Sequence, residues 1–381
     1  VNADAIVVGA GVIGASCAYH LARAGLRVIV VDRAREPGAG STARATGGFR
    51  AQFGTAINIR LSLASRERLR AFADEIGVDP GFAPVGYLWL AMSDSELTAL
   101  RHANALQRRE GLADAQIIDR SDVAAINPFV DRAGVIGGAW CPSDGVLRPM
   151  AILRGYLDAA ARSGAELRWN EPVVAVERER DRIVAVVSPT ARYAAGLVVD
   201  AAGAWAASVA RLAGVELPVV PLRRQVALGY PAAPLPASFP LTIWLDDGFH
   251  LRVRDEHVLL LRPSPGDPAD AWDDRVDPVW LDDIAVRAAR RVRVPIAIDR
   301  ERSWGGLYEM SPDGHAIVGA APGCANLLLV NGSSGHGVMH APALGLVIAE
   351  LARGLVPTLD VHALRPSRFD DGEPTSGSTL L

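Results

Sequence analysis

No lysine occurs anywhere in the 381-residue chain, so all 39 side chains counted as Lys or Arg are arginines. That absence excludes a Schiff-base lysine, and with it ordinary pyridoxal-phosphate chemistry, as well as the lysine of a Walker-type phosphate loop. Cysteine is scarce too: Cys17, Cys141 and Cys324 are too few and too scattered for a disulfide scaffold or a zinc ribbon. There is no strong charge of one sign, and a net charge of −4 gives no general attraction to nucleic acid or to an anionic membrane surface. The apolar stretch 196–209 is interrupted by Asp200 and is too short to span a bilayer. Apolar periodicity starts at Ala5 with no signal peptide ahead of it, so a cytoplasmic, reducing location is expected.

What is present suits a large globular protein. Half of the residues are hydrophobic and 22% are charged, which is enough to build a sizeable core. A length of 381 exceeds what one core usually supports, which predicts two lobes. The chain opens with a buried-strand pattern at 5–9, a helix ending near Gly25 and a second buried strand at 26–32. This is a β-α-β unit with the apolar runs of a parallel sheet. Residues 38–55 are rich in Gly, Ser, Thr and Arg, without periodicity, and read as a functional loop. Helices are expected over 57–76, from the capping box Ser93-Asp-Ser-Glu96 to Gly111, over 149–164, up to Gly214, over 278–291 and over 338–353. A hairpin is expected at 173–188, buried strands at 196–200 and 326–330, antiparallel strands over 218–262, and a frayed tail from Glu373.

The chemistry begins at Gly9-Ala-Gly11-Val-Ile-Gly14, which lies between strand and helix. Gly9 permits the tight turn, Gly11 lets the backbone approach a pyrophosphate, and Gly14 lets helix pack on strand. The helix N-terminus then offers free N–H groups and partial positive charge to phosphates. Asp32 ends the second strand where a carboxylate accepts a ribose hydroxyl, and its charge would repel the 2′-phosphate of NADP. The motif indicates a dinucleotide without saying which one.

Three later segments join this fingerprint: Gly40-Ser41-Thr-Ala-Arg44-Ala-Thr46-Gly47-Gly48-Phe49-Arg50, Val199-Asp200-Ala-Ala-Gly203-Ala204-Trp205, and Gly306-Leu307-Tyr308-Glu309-Met310 followed by Asn331-Gly332-Ser-Ser-Gly335-His336-Gly337. In this order they resemble the FAD-dependent D-amino-acid oxidase superfamily. The likeness is strongest to its branch of glycine oxidase, sarcosine oxidase β-subunits, dimethylglycine dehydrogenase and proline dehydrogenase β-subunits. The resemblance implies a mixed α/β fold with a glutathione-reductase-like, Rossmann-type FAD domain built from 1–85, 140–215 and 300–370. It implies an antiparallel-sheet α+β substrate domain from 86–139 and 216–299, with a tail at 371–381.

Ser41, Thr42 and Arg44 offer hydroxyl and cationic donors to a pyrophosphate. Gly47 and Gly48 let the backbone run close beneath a flavin ring, and Gly203 permits a second close approach. The helix after Gly335-His336-Gly337 points its N-terminus where negative charge on a reduced ring would be stabilised. The resemblance completes the expected FAD contacts with Val12, Ile13, Arg33, Thr46, Val174, Ala202, Trp205, Gly306, Val338 and Met339. Sarcosine oxidase-like members that attach FAD covalently carry a cysteine at the position of Gly306, so the FAD here is expected to be noncovalent. His336 and His340 have i,i+4 spacing but no accompanying carboxylate, so no metal is expected.

Arg50, His250, Arg252, Tyr308 and His336 are the candidate catalytic residues. Alternation in Phe249-His250-Leu251-Arg252-Val253 puts His250 and Arg252 on one sheet face, either toward the flavin or toward solvent. Facing the flavin, Arg252 would clamp a carboxylate and His250 would orient or deprotonate an amine. Tyr308 stands where glycine oxidase-like members have a carboxylate-binding arginine, which favours a secondary or tertiary amine.

The implied activity is oxidation of an amino acid, N-methylamino acid or cyclic imino acid. Hydride would leave the carbon next to nitrogen for flavin N5, giving an imine. Rival readings are 2-hydroxy-acid oxidation and a flavoprotein assembly factor or subunit without catalysis. The electron acceptor is oxygen or an electron-transfer partner, and homo- and hetero-oligomers both stay open. The lysine that promotes reaction with oxygen in relatives is missing near 258–262, which leans toward a dehydrogenase.

Overall fold

The computed structural model describes residues 2–264 and 272–372 and is organised around two large sheets. The first sheet places the strand Asn2–Val8 centrally, between Val28–Val31 and Arg192–Asp200, both parallel to it. Leu327–Asn331 extends it in parallel on one side and Glu166–Arg168 on the other. Ile317–Ala320 and the hairpin Ala175–Glu179/Arg182–Val187 add antiparallel pairs. The buried valines and isoleucines of these strands match a sheet covered on both faces. One face carries the helices Val12–Arg23, Ala56–Arg70, Pro149–Arg162 and Gly337–Ala352. The first and last of these approach so closely that a Cβ on Gly345 would lie 2.2 Å from Ser16 Oγ. The other face is covered by the hairpin and by Ala206–Leu212.

The second sheet runs Ile296–Met310, Val220–Pro231, His257–Leu261, His250–Arg254, Leu241–Trp244, Tyr87–Ala91, Gly137–Cys141, Gln116–Asp119. Every neighbouring pair is antiparallel except Leu241–Trp244 with Tyr87–Ala91. The helix Pro278–Arg291 covers one face, with Trp280, Leu281 and Ile284 buried beside Leu251 and Leu260.

Most expected elements occur within a residue or two of their expected ends. The capping box at Ser93 forms, with Glu96 N–H on Ser93 Oγ and Glu96 Oε2 accepting Ser93 N–H. Two expectations need correction. The 38–55 segment is not structureless: Ser41–Arg44 is a helical turn, and Gly48–Phe49 pairs with Gly145–Val146. Its backbone finds partners supplied by a distant strand, which local composition does not reveal. The helix expected at 57–76 is broken at Ala71 into Ala56–Arg70 and Phe72–Ile76, and Gly77 ends it in a left-handed conformation. The strands at 87–91, 116–119 and 137–141 were not anticipated. The expected tail at 373–381 lies outside the described residues.

Candidate active site

The turn after the first strand is built by close backbone contacts. Gly9 has φ +102°, and a Cβ there would sit 2.5 Å from Ala201 O; a Cβ on Gly14 would sit 1.9 Å from Gly9 O. Strand, turn and helix therefore interlock only without those side chains. Asp32 holds the turn from below, its two oxygens accepting Ala10 N–H at 2.6 Å and Ala34 N–H at 2.7 Å. A carboxylate has about four lone-pair sites, so acceptor capacity for a ribose hydroxyl remains. Thr42 Oγ1 accepts Val12 N–H at 3.2 Å, tying the 41–44 turn to the helix N-terminus.

From this turn a cavity of about 860 Å³ runs to Tyr308, within the size range of small-molecule and cofactor sites. It is lined by Gly9, Gly11, Val12, Ile13, Asp32, Arg33, Ser41, Thr42, Arg44, Thr46, Gly47, Gly48, Val174, Ala202, Gly203, Trp205, Gly306, Gly335, Gly337, Val338 and Met339. Two expected cofactor contacts do not line it. Gly14 packs behind, on Gly9 O, and the His336 ring lies against Phe53 at 4.8 Å. The lining leaves room for a ligand: a Cβ on Gly11 or Gly203 would find no protein atom nearer than 3.6 or 3.9 Å. The residues present thus fit an elongated dinucleotide with its phosphates at the helix N-terminus. None of the three free, buried cysteines lines the cavity, so no thiol is placed to attach a flavin.

Several expected phosphate donors have other partners. Ser41 Oγ donates to Leu307 O at 2.6 Å, and Arg44 pairs with Asp274 and donates to Gly305 O at 2.7 Å. Both stitch the 41–44 turn to the long strand Ile296–Met310. Arg33 lies 4.5 Å over the Trp205 ring, which stacks on Trp272 at 5.3 Å.

At the Tyr308 end, Gly335 has φ +93°, and a Cβ there would meet the Tyr308 ring at 2.4 Å, so the phenol rests on bare backbone. Burial raises the Tyr308 pKa, while Arg224 and Arg50 pull it down. Arg50 is only 4% exposed, with its guanidinium 4.4 Å over Phe53, 4.9 Å over Trp89, and 3.2 Å from His336 Nε2. Burial lowers its pKa, and no carboxylate ion-pairs with it among the described residues. Burial also pushes His250 down to about 4 and His336 well below its ordinary value, with Arg50 adding to both, so both rings are neutral. His250 Nδ1 lies 2.8 Å from Gly248 O, and donation there leaves the Nε2 lone pair free.

Arg252 is placed differently from the substrate clamp envisaged above. Its Nη1 donates to Thr46 O at 2.5 Å and to Gly47 O at 2.7 Å, and the side chain is 4% exposed. It faces the segment that lines the cavity rather than the cavity itself. Burial, then Arg254 and Arg148, lower it to about 10, still a cation.

The structure also assembles groups that sequence patterning missed. Arg224 lines the cavity, its guanidinium 5.7 Å from the Tyr308 centroid. Buried Asp144 accepts the N–H groups of Ala51 and Gln52 at 2.8 and 3.3 Å, and burial raises it to about 7. Burial likewise raises Asp200 and Glu309 to about 7, and the nearby Glu309 further disfavours ionisation of Asp200. The Arg223-Arg224 doublet on an alternating strand was the one readable signal, since alternation turns one of the two inward. Among the described residues no group of three or more His, Cys, Asp or Glu side chains converges as a metal site would require.

A family model described as FAD dependent oxidoreductase (DAO) matches residues 4–351. The chain is 28% identical to FAD-dependent oxidoreductase domain-containing protein 1 of Xenopus laevis, covering 98% of this chain and 84% of that protein. It is 26% identical to mitochondrial dimethylglycine dehydrogenase of Mus musculus over 97% of this chain but only 44% of that protein. Among solved structures, L-proline dehydrogenase from P. horikoshii superposes with a TM-score of 0.89 at 26% identity, covering 98% and 99% of the two chains. Glycine oxidase from Geobacillus kaustophilus has the same fold, with a TM-score of 0.86 at 24% identity over 96% and 99%.

Proposed function

The chain belongs to the DAO family of FAD-dependent oxidoreductases, and on that premise we propose that it oxidises an amino acid, N-methylamino acid or cyclic imino acid at the carbon next to nitrogen. Bound FAD supplies the acceptor for the hydride leaving that carbon. The product is an imine, which water hydrolyses. Gly9, Gly11, Asp32, Thr42 and the helix N-terminus at Val12 would hold the dinucleotide, and Gly47, Gly48 and Gly335–Met339 its reactive end.

The observation that carries this reading is the character of the Tyr308 end: Arg50 and Arg224 sit among neutral His250, His336 and Tyr308, and among the described residues no carboxylate pairs with either arginine. Arg224 at the cavity wall and buried Arg50 behind it make the pocket positive. That field draws in a substrate carboxylate and at the same time favours the uncharged form of its amine, the form able to lose hydride. His250, with its Nε2 lone pair, orients the amine or takes its proton. Tyr308 closes the pocket, His336 backs Arg50 from behind it, and Arg252 keeps the Thr46–Gly47 backbone in place. The absence of lysine leads us to propose a dehydrogenase rather than an oxidase.

The test is anaerobic mixing of the purified holoprotein with a panel of amino, N-methylamino, cyclic imino and 2-hydroxy acids. Bleaching of the oxidised-flavin absorbance by a member carrying nitrogen supports the proposal, and slow recovery on admitting air supports the dehydrogenase. Bleaching by 2-hydroxy acids alone, or by none of the panel, overturns the amine-oxidation reading.

A further inference from the structure

The arginines around the cavity are not equivalent. Arg44 is paired with Asp274, Arg252 is committed to two backbone carbonyls, and Arg33 lies over Trp205. Arg224 differs from all three. Its strand, Val220–Pro231, pairs with Ile296–Met310 so that Arg224 lies opposite Gly306 and Leu222 opposite Tyr308. The side chain lines the cavity and is half-buried. Its one hydrogen bond, Nη1 to Arg223 O, is long at 3.3 Å, and it makes no ion pair among the described residues. The residue across from it contributes no side chain, because Gly306 has none.

A guanidinium held over an aromatic ring, facing a cavity and lacking an anion, has its planar fork of donors free for a ligand. Among the described residues, the nearby groups that could have supplied the anion are neutral or committed elsewhere. Tyr308 is a phenol with its pKa raised, and His250 is an uncharged imidazole. Arg50, the other cation of the cluster, already bonds His336 and sits between two aromatic rings with little exposure. Arg224 is thus the cation at this end that a ligand in the cavity can reach directly. A carboxylate matches it best, since its two oxygens accept in parallel from the two arms of the fork.

We propose that Arg224 is the carboxylate anchor of the active site, holding the acid group of the substrate across the face of Tyr308 and so restricting the enzyme to carboxylated amines. The assignment rests on the amine-oxidation reading for what the ligand is, but not for whether a carboxylate binds.

The test therefore uses ligands that cannot be oxidised. Cyclopentanecarboxylate and its uncharged amide are titrated into holoprotein, followed by perturbation of the flavin spectrum and by calorimetry. Wild-type protein should bind the acid in preference to the amide. Charged hydrogen bonds contribute about 1.5–3 kcal/mol, so Arg224→Met should weaken acid binding by roughly 10- to 100-fold and leave amide binding and FAD content unchanged. Arg224→Lys should recover part of the loss, because it restores the charge without the fork. The proposal is overturned if wild type does not distinguish acid from amide, or if Arg224→Met keeps the preference. It is also overturned if that variant loses FAD while acid binding per holoprotein is unchanged, since Arg224 would then be a cofactor contact. Failure of the whole oxidation panel, with the acid preference intact and lost in Arg224→Met, sinks amine oxidation and leaves the anchor standing.

Discussion

Replacing Arg252 with Met separates two roles that one arginine near a flavin site can have. In the structure its guanidinium holds two carbonyls of the cavity lining, Thr46 O and Gly47 O. The two do not lose equally. Gly47 O also accepts Leu147 N–H at 2.8 Å, so it stays satisfied, whereas Thr46 O loses the bond that Arg252 supplies. Thr46 is half-buried, so leaving its carbonyl without a partner costs about 1 kcal/mol where water reaches it and up to about 3 kcal/mol once a bound ligand shuts water out. Methionine keeps much of the apolar stem, so packing changes little beside this. The loop that lines the cavity would then be ordered by the cofactor rather than before it arrives. Each 1.4 kcal/mol of that ordering cost raises a dissociation constant tenfold, so FAD affinity should fall roughly five- to hundredfold. The assay is titration of apoprotein with FAD by flavin fluorescence quenching, followed by steady-state kinetics at saturating FAD. KM for a carboxylated substrate should stay within about threefold of wild type. An unchanged FAD affinity together with a tenfold or larger rise in that KM would refute this reasoning and make Arg252 the substrate clamp.

Gly14→Ala places a Cβ 1.9 Å from Gly9 O, against backbone that cannot step aside without moving the first strand. Thermal melting should show a loss of at least about 3 kcal/mol, with FAD binding abolished, and a protein that melts and binds FAD normally would contradict it. Asp200 carries a pH signature. Burial raises its folded-state pKa to about 7 from 3.8, so the folded form holds a proton that the unfolded form has released between those values. A raised pKa gives stability that is present at low pH and lost as pH rises through about 7. Asp200→Asn has no such proton and keeps an oxygen for Ala202 N–H, the bond Asp200 Oδ1 accepts at 3.0 Å. Relative to wild type, the variant should gain about 1.4 kcal/mol between pH 6 and pH 8 in urea denaturation. A stability difference that does not move over that range would count against the raised pKa.

The cofactor half of the site was legible because its signals are local. Strand, Gly9, Gly11, Gly14, helix and Asp32 follow within 32 residues; Gly14 is required by a contact inside that span and Gly11 by the cavity beside it, and only Gly9 owes its place to a distant backbone, at Ala201. The substrate half depends on which residues the second sheet brings together. Alternation separates Arg252 from its neighbours Leu251 and Val253, which pack into the sheet's core. What meets Arg252 on the other side, the Thr46 and Gly47 carbonyls, lies more than 200 positions away. No periodicity encodes such a partner, so an arginine on the correct face reads equally as a ligand clamp or as a brace. Arg224 was harder still, because its importance comes from its having no acid partner among the described residues, and that shows only once the chain is folded. The missing lysine takes on a physical meaning here. A pocket whose cations are all arginines keeps its positive field at every working pH. Any pH response of this site must therefore come from its neutral groups, the histidines held unprotonated and the carboxyls of Asp144, Asp200 and Glu309 poised near 7.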